Sequence, residues 1–565
     1  MKLSDYVATY FAEQKIEFNF IFTGGAIAHL IDSCWRIHEN NADVLKPICV
    51  LHEQAGSMAI DAYSRITGKP GLMMVTSGPG ATNLLTGIAC SYYDSIPGIY
   101  ITGQVRTWEI KGESKQRQLG FQETDIVSMA KPITKYSILI TDPRDIRFEL
   151  EKSMWLSTHG RPGPVLIDLP MDIQWADINP GDLRPFIPPE LPQHVAPVDH
   201  LKIEQVARWL RECKRPVILC GGGIRNANAT SELRELAELC NVPVVVSFGG
   251  NDGFPHDNVL YAGLIGTMGS KAANKSLNES DLLLALGTRL SWRQIRAKPR
   301  EFLQNGKLVH VDIDREELNQ RVPATLAFDW DVKIFLRQLI AQMRIDPLPN
   351  HEAWASDCRL SLKNIPFCKD IYLENSSPVQ PYVFMKLLSD SLDDTDILVI
   401  DAGQNVMWGM QTLEPRGDQR MITAWGHSPM GYSLPASMGV AAHYGNKRRT
   451  ICTIGDGGFQ VNIQELQTIK YYNLPIKIFI LNNHSYGAIK DYQDGNLSGR
   501  HYATCPEFGY EPPDLLAIAE AYQIKTCRIN SHIGLKEMIS EVLTHEGPIV
   551  CDVDLGNDTF VTLDP

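Results

Sequence analysis

The sequence predicts an α/β protein of three domains, each a mainly parallel sheet flanked by helices. The first observation is a recurring set of short apolar runs, most ending in glycine or a small polar residue: GLMMVTSGPG, IPGIYITGQV, GPVLIDLP, PVILCGGG, PVVVSFGG, DLLLALGTR, KLVHVDID, DILVIDAG, RTICTIGDGG, IKIFILNN and GPIVCDVDL. Strands apolar on both faces and separated by helical patterns belong in parallel sheets covered on both sides. The second observation is a pair of Pro-rich stretches, Asn179–Pro197 and the looser Asp346–Pro381, which read as extended interdomain linkers. They divide the 565 residues into sections 1–178, 190–345 and 370–565, each long enough to bury its own core. The first and last sections share a glycine-rich strand end, a hint of duplication.

Composition narrows the function. The chain is 44% hydrophobic and 21% charged with a formal charge of −13 and no long basic run, which argues against a nucleic-acid partner. The opening MKLSDYVATYFAEQKIEF reads as an amphipathic helix and lacks the layout of a signal peptide. No window approaches the ~20 apolar residues of a membrane span. The 12 cysteines are scattered, mostly in apolar runs such as those of Cys220 and Cys452, with no CxxC pair. Reduced thiols in a cytoplasmic protein are the expectation.

In the last section the strand TICTI ends in Gly455-Asp456-Gly457-Gly458, and IKIFIL ends in Asn482-Asn483. Carboxyl ends of neighbouring parallel strands face one crevice, so a carboxylate and an amide oxygen can converge there. Glycines beside Asp456 let a phosphate approach the backbone. Hard oxygen ligands next to phosphate suit Mg²⁺. Two unrelated turns are the plain alternative, since DG and NN are common turn pairs.

The combination GDGGFQ followed by a strand-terminal NN resembles the diphosphate–metal signature of thiamine-diphosphate enzymes. The resemblance implies that Asp456, the Asn483 side chain and the Ser485 main-chain oxygen hold the metal. It implies that Gly403, Gln404 and Asn405 form a second diphosphate loop, with Gln404 and Asn405 as donors. Within WGHSPMGYSLPASMGV, Met430 stands where the family wedges an apolar side chain between the two cofactor rings.

The first section carries the other half. Leu51-His52-Glu53-Gln54-Ala55 follows KPICV and opens a helix, where a Glu is ordinarily a solvated, dipole-friendly residue. The following TSGPGATNLLTGIACSYYDSIPGIYITGQV is similar to the ring-binding half of the acetolactate synthase group, which implies that Glu53 hydrogen-bonds the aminopyrimidine and shuttles a proton. By the same resemblance Pro79, Asn83 and Gln104 line the ring pocket, Gly25 brings backbone near the reactive carbon, and Phe121 and Gln122 face the reaction centre. Glu53 and Asp456 lie in different sections. In this family they come from different subunits, which implies a homodimer or homotetramer with active sites at the subunit interface.

In the middle section PVILCGGG lacks the G-x-G-x-x-G spacing and is weak by itself. GRPGPVLIDLP, PVILCGGG, GLIGTMGSKAAN, ALGTRLSWRQI and LVHVDID occur in the order of the FAD-carrying acetolactate synthases. That similarity implies FAD contacts from Arg161, Gly221, Gly222, Gly223, Arg289, Arg293, Asp312 and Asp331. Arg293 also matches the arginine that selects a keto-acid acceptor, and a planar guanidinium suits a carboxylate.

The pattern departs from the synthases at Met171, where they carry lysine, and at Tyr492, where they carry tryptophan. Tyr492, beside Lys490, Asp491 and Asp494, points to a more polar acceptor pocket. The tail after DLGNDTFVTLDP is short, so a long closing lid is not expected. The resemblance implies decarboxylation of pyruvate and transfer of its two-carbon acyl unit to a carbonyl acceptor such as a second 2-keto acid. Alternatives are a keto-sugar nucleotide acceptor, a pyruvate decarboxylase or oxidase, and a non-catalytic relative acting as a binding partner.

Overall fold

The computed structural model describes residues 1–189, 200–345, 347–374 and 377–562. Its strands form three six-stranded sheets in which every pairing is parallel. The first sheet comprises Phe18–Phe22 (β1), Lys46–Cys49 (β2), Gly71–Val75 (β3), Gly98–Gln104 (β4), Tyr136–Leu139 (β5) and Pro164–Pro170 (β6), in the order β2-β1-β3-β4-β6-β5. The second comprises Pro216–Cys220 (β7), Val244–Val246 (β8), Tyr261–Leu264 (β9), Leu282–Leu286 (β10), Lys307–Val311 (β11) and Leu326–Phe328 (β12), in the order β12-β11-β10-β7-β8-β9. The third comprises Ile397–Ile400 (β13), Arg420–Ile422 (β14), Thr450–Gly455 (β15), Ile476–Asn482 (β16), Lys525–Ile529 (β17) and Ile549–Asp554 (β18), in the order β14-β13-β15-β16-β18-β17.

The first and third sheets thus share one strand order, which gives the suspected duplication a topological form. The helix after the second strand of each, Glu53–Thr67 (α1) and Ser433–Tyr444 (α2), packs on its counterpart. Their backbones touch: a Cβ on Gly439 would lie 1.9 Å from the carbonyl oxygen of Ala59. α1 starts where His52 Nδ1 accepts the Gln54 N–H at 3.1 Å and stops at Gly68, whose φ of +68° suits glycine. Packing of α1 on α2 therefore fixes the first domain against the third.

The chain start closes the first domain. Leu3 donates its N–H to Ala176 O and Ile178 donates to Met1 O, both at 2.9 Å. Residues 190–199 of the first Pro-rich stretch lie outside the described residues, as does residue 346. The second stretch is not an extended linker. Glu352–Lys363 is a helix, with Trp354 Nε1 donating to Pro216 O at 3.0 Å and Ala355 and Cys358 buried. Trp354, Ala355, Cys358 and Leu362 share one helical face, and the prolines flank the segment without interrupting it. All 12 cysteines are free thiols and most are buried. Among the described residues no helix is long and apolar enough to cross a membrane.

Candidate active site

Three adjacent strands of the third sheet deliver the predicted diphosphate–metal residues to one edge. β13 leads to Gly403 and Gln404, β15 to Asp456, and β16 to Asn483 and Ser485. Asp456 is buried, and burial pushes its carboxyl up to about 6. Its Oδ2 and the buried Ser485 Oγ have no hydrogen-bond partner among the described residues. An orphaned buried carboxylate oxygen is costly unless something pairs with it. Cβ atoms on Gly403 (φ +78°) or Gly455 would meet nothing within 4 Å, so both strand ends present open backbone. A carboxylate with one unpaired oxygen, an amide oxygen and open glycine backbone fit a hard cation carrying a diphosphate.

The glycines between these loops have different tasks. A Cβ on Gly458 would lie 2.0 Å from Asp401 Oδ2, and one on Gly457 would lie 3.1 Å from Met430 Cε. Met430, 40% exposed, therefore stands beside Gly457 together with Tyr486. Asp401 was not among the residues picked out from the sequence, yet it fixes the Met430 turn: it accepts the N–H groups of Gly431 at 3.0 Å and Tyr432 at 2.9 Å. Its signal was available as an acidic residue ending the apolar run ILVI. Asn405 corrects one expectation. Its Nδ2 donates to Asp401 O at 3.3 Å and Thr453 O at 2.8 Å, so its side-chain N–H groups serve the strand end, while its Oδ1 is buried without a partner among the described residues.

The first sheet gathers the other set. Glu53 is buried at the start of α1, and Asn83 Nδ2 donates to its Oε2 at 2.9 Å. A Cβ on Gly80, in the short helix that Pro79 opens, would sit 3.4 Å from its Oε1. Among the described residues no hydrogen bond reaches Oε1. Gly25 at the end of β1 faces open space: its Cβ would meet nothing within 4 Å. Phe121 is 85% exposed, and Gln122, with φ +64°, packs over Gly78. Glu123 braces that loop by accepting the N–H groups of Lys111 at 2.6 Å and Leu119 at 2.7 Å. Gln104 is held firmly: its amide donates to Thr124 O and Asp168 Oδ2, both at 2.8 Å, and accepts the Val105 N–H. It anchors the Phe121 loop, and both of its side-chain N–H groups are spent inside the protein.

Further polar contacts tie the two sets together through the protein. Glu465, buried and pushed up to about 7 by burial, accepts the Leu51 N–H at 3.0 Å just ahead of Glu53. Tyr432 donates to Asp61 of α1 at 2.5 Å, and Asp94 accepts the N–H groups of Trp425 and Gly426 at 2.7 and 2.8 Å. Arg65 bridges Asp61 and Asp94. The Glu465, Tyr432 and Asp94 contacts could not be read from local sequence, because each joins two domains, whereas the Arg65 pairs lie within the first. Among the described residues no hydrogen bond joins the Glu53 set directly to the Asp456 set.

A cavity of about 530 Å³ lies where all three domains meet. Gly222, Gly223, Arg289, Arg293 and Asp312, together with Arg161 and Asp331, line it. It opens at the carboxyl ends of β7 and β10, where the strand order of the second sheet reverses, the usual nucleotide crevice of such sheets. Burial pushes Asp312 up to about 6. Arg161 pairs with Asp314 at 2.6 Å, and Asp331 caps the helix Val332–Met343 through the Lys333 and Ile334 N–H groups. Gly221 does not reach the cavity. Its Cβ would lie 2.1 Å from Gly287 O, so it serves the contact between two strand ends. The cavity also contains an ion-pair network that sequence reading missed, Arg225–Asp252–Arg420, which joins the second and third domains.

On the helix Gly487–Asn496 (α3), Tyr492 is 58% exposed. Its polar neighbours turn elsewhere: Asp491 accepts from Gln404, Lys490 donates to Asn557 O at 3.0 Å, and Asp494 contacts His501 at 2.6 Å.

The fold and the paired strand-end sites fit the class of diphosphate-cofactor enzymes. Family comparisons agree: residues 1–129 match the thiamine pyrophosphate enzyme N-terminal TPP binding domain, 203–339 the central domain, and 401–553 the C-terminal TPP binding domain. A probable acetolactate synthase large subunit of Methanocaldococcus jannaschii is 34% identical over 98% of this chain and 92% of its own. The acetolactate synthase large subunit of Cyanidium caldarium is 34% identical over 96% and 91%, and the chloroplastic acetolactate synthase of Arabidopsis thaliana 32% over 98% and 81%. The chain belongs to the thiamine pyrophosphate enzymes, in the acetolactate synthase large-subunit family.

Proposed function

We propose that this protein is a Mg²⁺- and thiamine-diphosphate-dependent carboligase that decarboxylates pyruvate and transfers the two-carbon unit to a carbonyl acceptor. The observation that carries the reading is the orphaned, buried Oδ2 of Asp456 near open glycine backbone, combined with a buried Glu53 at the matching edge of a sheet of the same topology. Asp456, the Asn483 amide oxygen and the Ser485 carbonyl would hold the cation, and the main chain at Gly403 and Gln404 the diphosphate, since the Gln404 side chain is engaged with Asp491 and Asn483. When bound, the cofactor supplies the electron sink that decarboxylation requires.

The chain's own residues do the rest. Glu53 offers Oε1, free of protein partners, for proton exchange, while Asn83 keeps Oε2 in place. Met430 and Phe121 shield the reacting region from water, which favours attack on a carbonyl over protonation. Arg293, at the cavity wall, suits the carboxylate of a keto-acid acceptor. FAD fits the three-domain cavity, whose position and size suit a nucleotide.

A homodimer or homotetramer completes the site in this reading. Among the described residues no hydrogen bond joins the Glu53 and Asp456 sets directly, and each displays an exposed apolar side chain, Phe121 or Met430. A second reading, transfer to a keto-sugar nucleotide, is favoured by exposed Tyr492, whose hydroxyl could serve a hydroxylated acceptor. Incubation of pyruvate with a panel of acceptors tests both. Acetolactate supports the first and a branched sugar the second. Acetaldehyde alone, or hydrogen peroxide under oxygen, would identify a decarboxylase or an oxidase instead. No turnover of any 2-keto acid would point to a non-catalytic relative.

A further inference from the structure

Two amide side chains stand in series between a carboxylate and the cation site. Gln404 Nε2 donates to Asp491 Oδ2 at 2.6 Å, and Asn483 Nδ2 donates to Gln404 Oε1 at 2.7 Å. The buried Thr559 hydroxyl closes the pair, accepting from Asn483 Nδ2 at 3.1 Å and donating to Gln404 Oε1 at 3.1 Å. Gly487 makes the approach possible, since a Cβ there would lie 2.1 Å from Gln404 Oε1 and 2.4 Å from Asn483 Nδ2.

The two ends of an amide have nearly the same shape and differ in hydrogen bonding. A carboxylate only accepts. Asp491 therefore takes the NH₂ end of Gln404, which turns the Gln404 oxygen toward Asn483. That oxygen in turn takes the NH₂ end of Asn483. The Asn483 oxygen is left facing the Ser485 turn, where it accepts only a long 3.3 Å bond from the Ser485 N–H. An amide presented the other way round would offer a cation two N–H donors and no ligand.

We propose that Asp491 is a positioning residue that sets, through Gln404 and with Thr559, which end of Asn483 faces the metal. The inference rests on the cofactor reading above and adds to it a residue outside the ligand set. It also assigns Asp491 a task other than shaping the acceptor pocket.

The test uses the full-length protein carrying D491L, T559V or both. Leucine keeps bulk without an acceptor, and valine keeps shape without the hydroxyl. Two titrations are read: Mg²⁺-dependent quenching of protein fluorescence by thiamine diphosphate, and Mn²⁺ binding to the cofactor-free protein by electron paramagnetic resonance. D491L is expected to weaken cation binding roughly 10–100-fold, the usual effect of removing a residue that orients a metal ligand. T559V shifts it in the same direction. The double variant falls short of the product of the single effects, because both act on one relay. FAD content and the thermal midpoint stay at wild-type values, whereas loss of a purely structural contact would move them together with the metal. A folded D491L or T559V protein whose cation affinity is within about twofold of wild type overturns the relay, as do fully multiplicative effects. If wild type itself shows no Mg²⁺-dependent binding of thiamine diphosphate, the cofactor reading fails instead.

Discussion

Asn83 donates its side-chain N–H to Oε2 of Glu53 at 2.9 Å. The bond leaves Oε1 as the carboxyl atom able to exchange a proton with a bound ring. Glu53→Gln keeps the shape, so fold and cofactor affinity stay within about tenfold, while turnover falls by roughly 10²–10⁴, the usual range for an acid–base group. Steady-state rates with pyruvate check this, and near-normal turnover would remove Glu53 from that role.

Asp456→Ala removes the charged ligand and is expected to abolish metal-dependent cofactor binding. The wild-type protein adds a pH signature. Protons compete with the cation for a carboxyl near pH 6, so Mg²⁺ affinity should drop as pH falls through that value. Cofactor titrations at several pH values, with and without Mg²⁺, measure both effects.

Glu465 provides a stability test. Its pKa is raised from 4.5 to about 7 by burial. Between those values the folded protein holds a proton that the unfolded chain has released, so stability falls as pH rises through the window. Glu465→Gln should flatten that slope by up to about 3 kcal/mol. Denaturant midpoints of both proteins at pH 4.5 and pH 8, at one protein concentration, check it; parallel pH profiles would show that Glu465 ionises normally.

Gly439→Ala inserts a methyl 1.9 Å from the Ala59 carbonyl oxygen, where α2 meets α1. Overpacking of a tight contact costs about 1–3 kcal/mol. The thermal midpoint should drop and the first and third domains should loosen from each other. An unchanged midpoint would mean that the helices separate at little cost.

The purified protein should be yellow and release about one FAD per chain on denaturation, given the cavity at the β7–β10 crevice. An absorption spectrum decides it. A colourless protein with full activity would show the cavity to be vestigial.

The sequence made the inner strands legible, β1 excepted, and the sheet edges obscure. β3, β4, β6, β7, β8, β10, β11, β13, β15, β16 and β18 all coincide with apolar runs, because strands covered on both faces must be apolar throughout. The strands not picked out include the edges of every sheet: β2, β5, β9, β12, β14 and β17. An edge strand is short or half exposed, as in the mixed burial of Lys525–Ile529, and its composition gives little away. The sites followed the same logic. Asp456, Asn483 and Glu53 sit beside strand ends with distinctive neighbours. Asp401, Glu465 and Asp491 act across the chain, and only the folded protein shows what they touch. Gln104 and Asn405 are legible as polar residues at strand ends, but their side-chain N–H groups are spent inside the protein.

The central claim is decarboxylating carbon–carbon bond formation at a cofactor held between the Glu53 and Asp456 sets. Its most direct test is magnetic resonance of the products formed from pyruvate labelled at the carbonyl carbon, with thiamine diphosphate and Mg²⁺ supplied or withheld. The account predicts cofactor- and Mg²⁺-dependent loss of carbon dioxide and a product in which the labelled carbon is bonded to the carbonyl carbon of an acceptor, either a second pyruvate or a keto-sugar. Unconsumed pyruvate, or labelled acetaldehyde or acetate as the sole product whatever acceptor is offered, would contradict it.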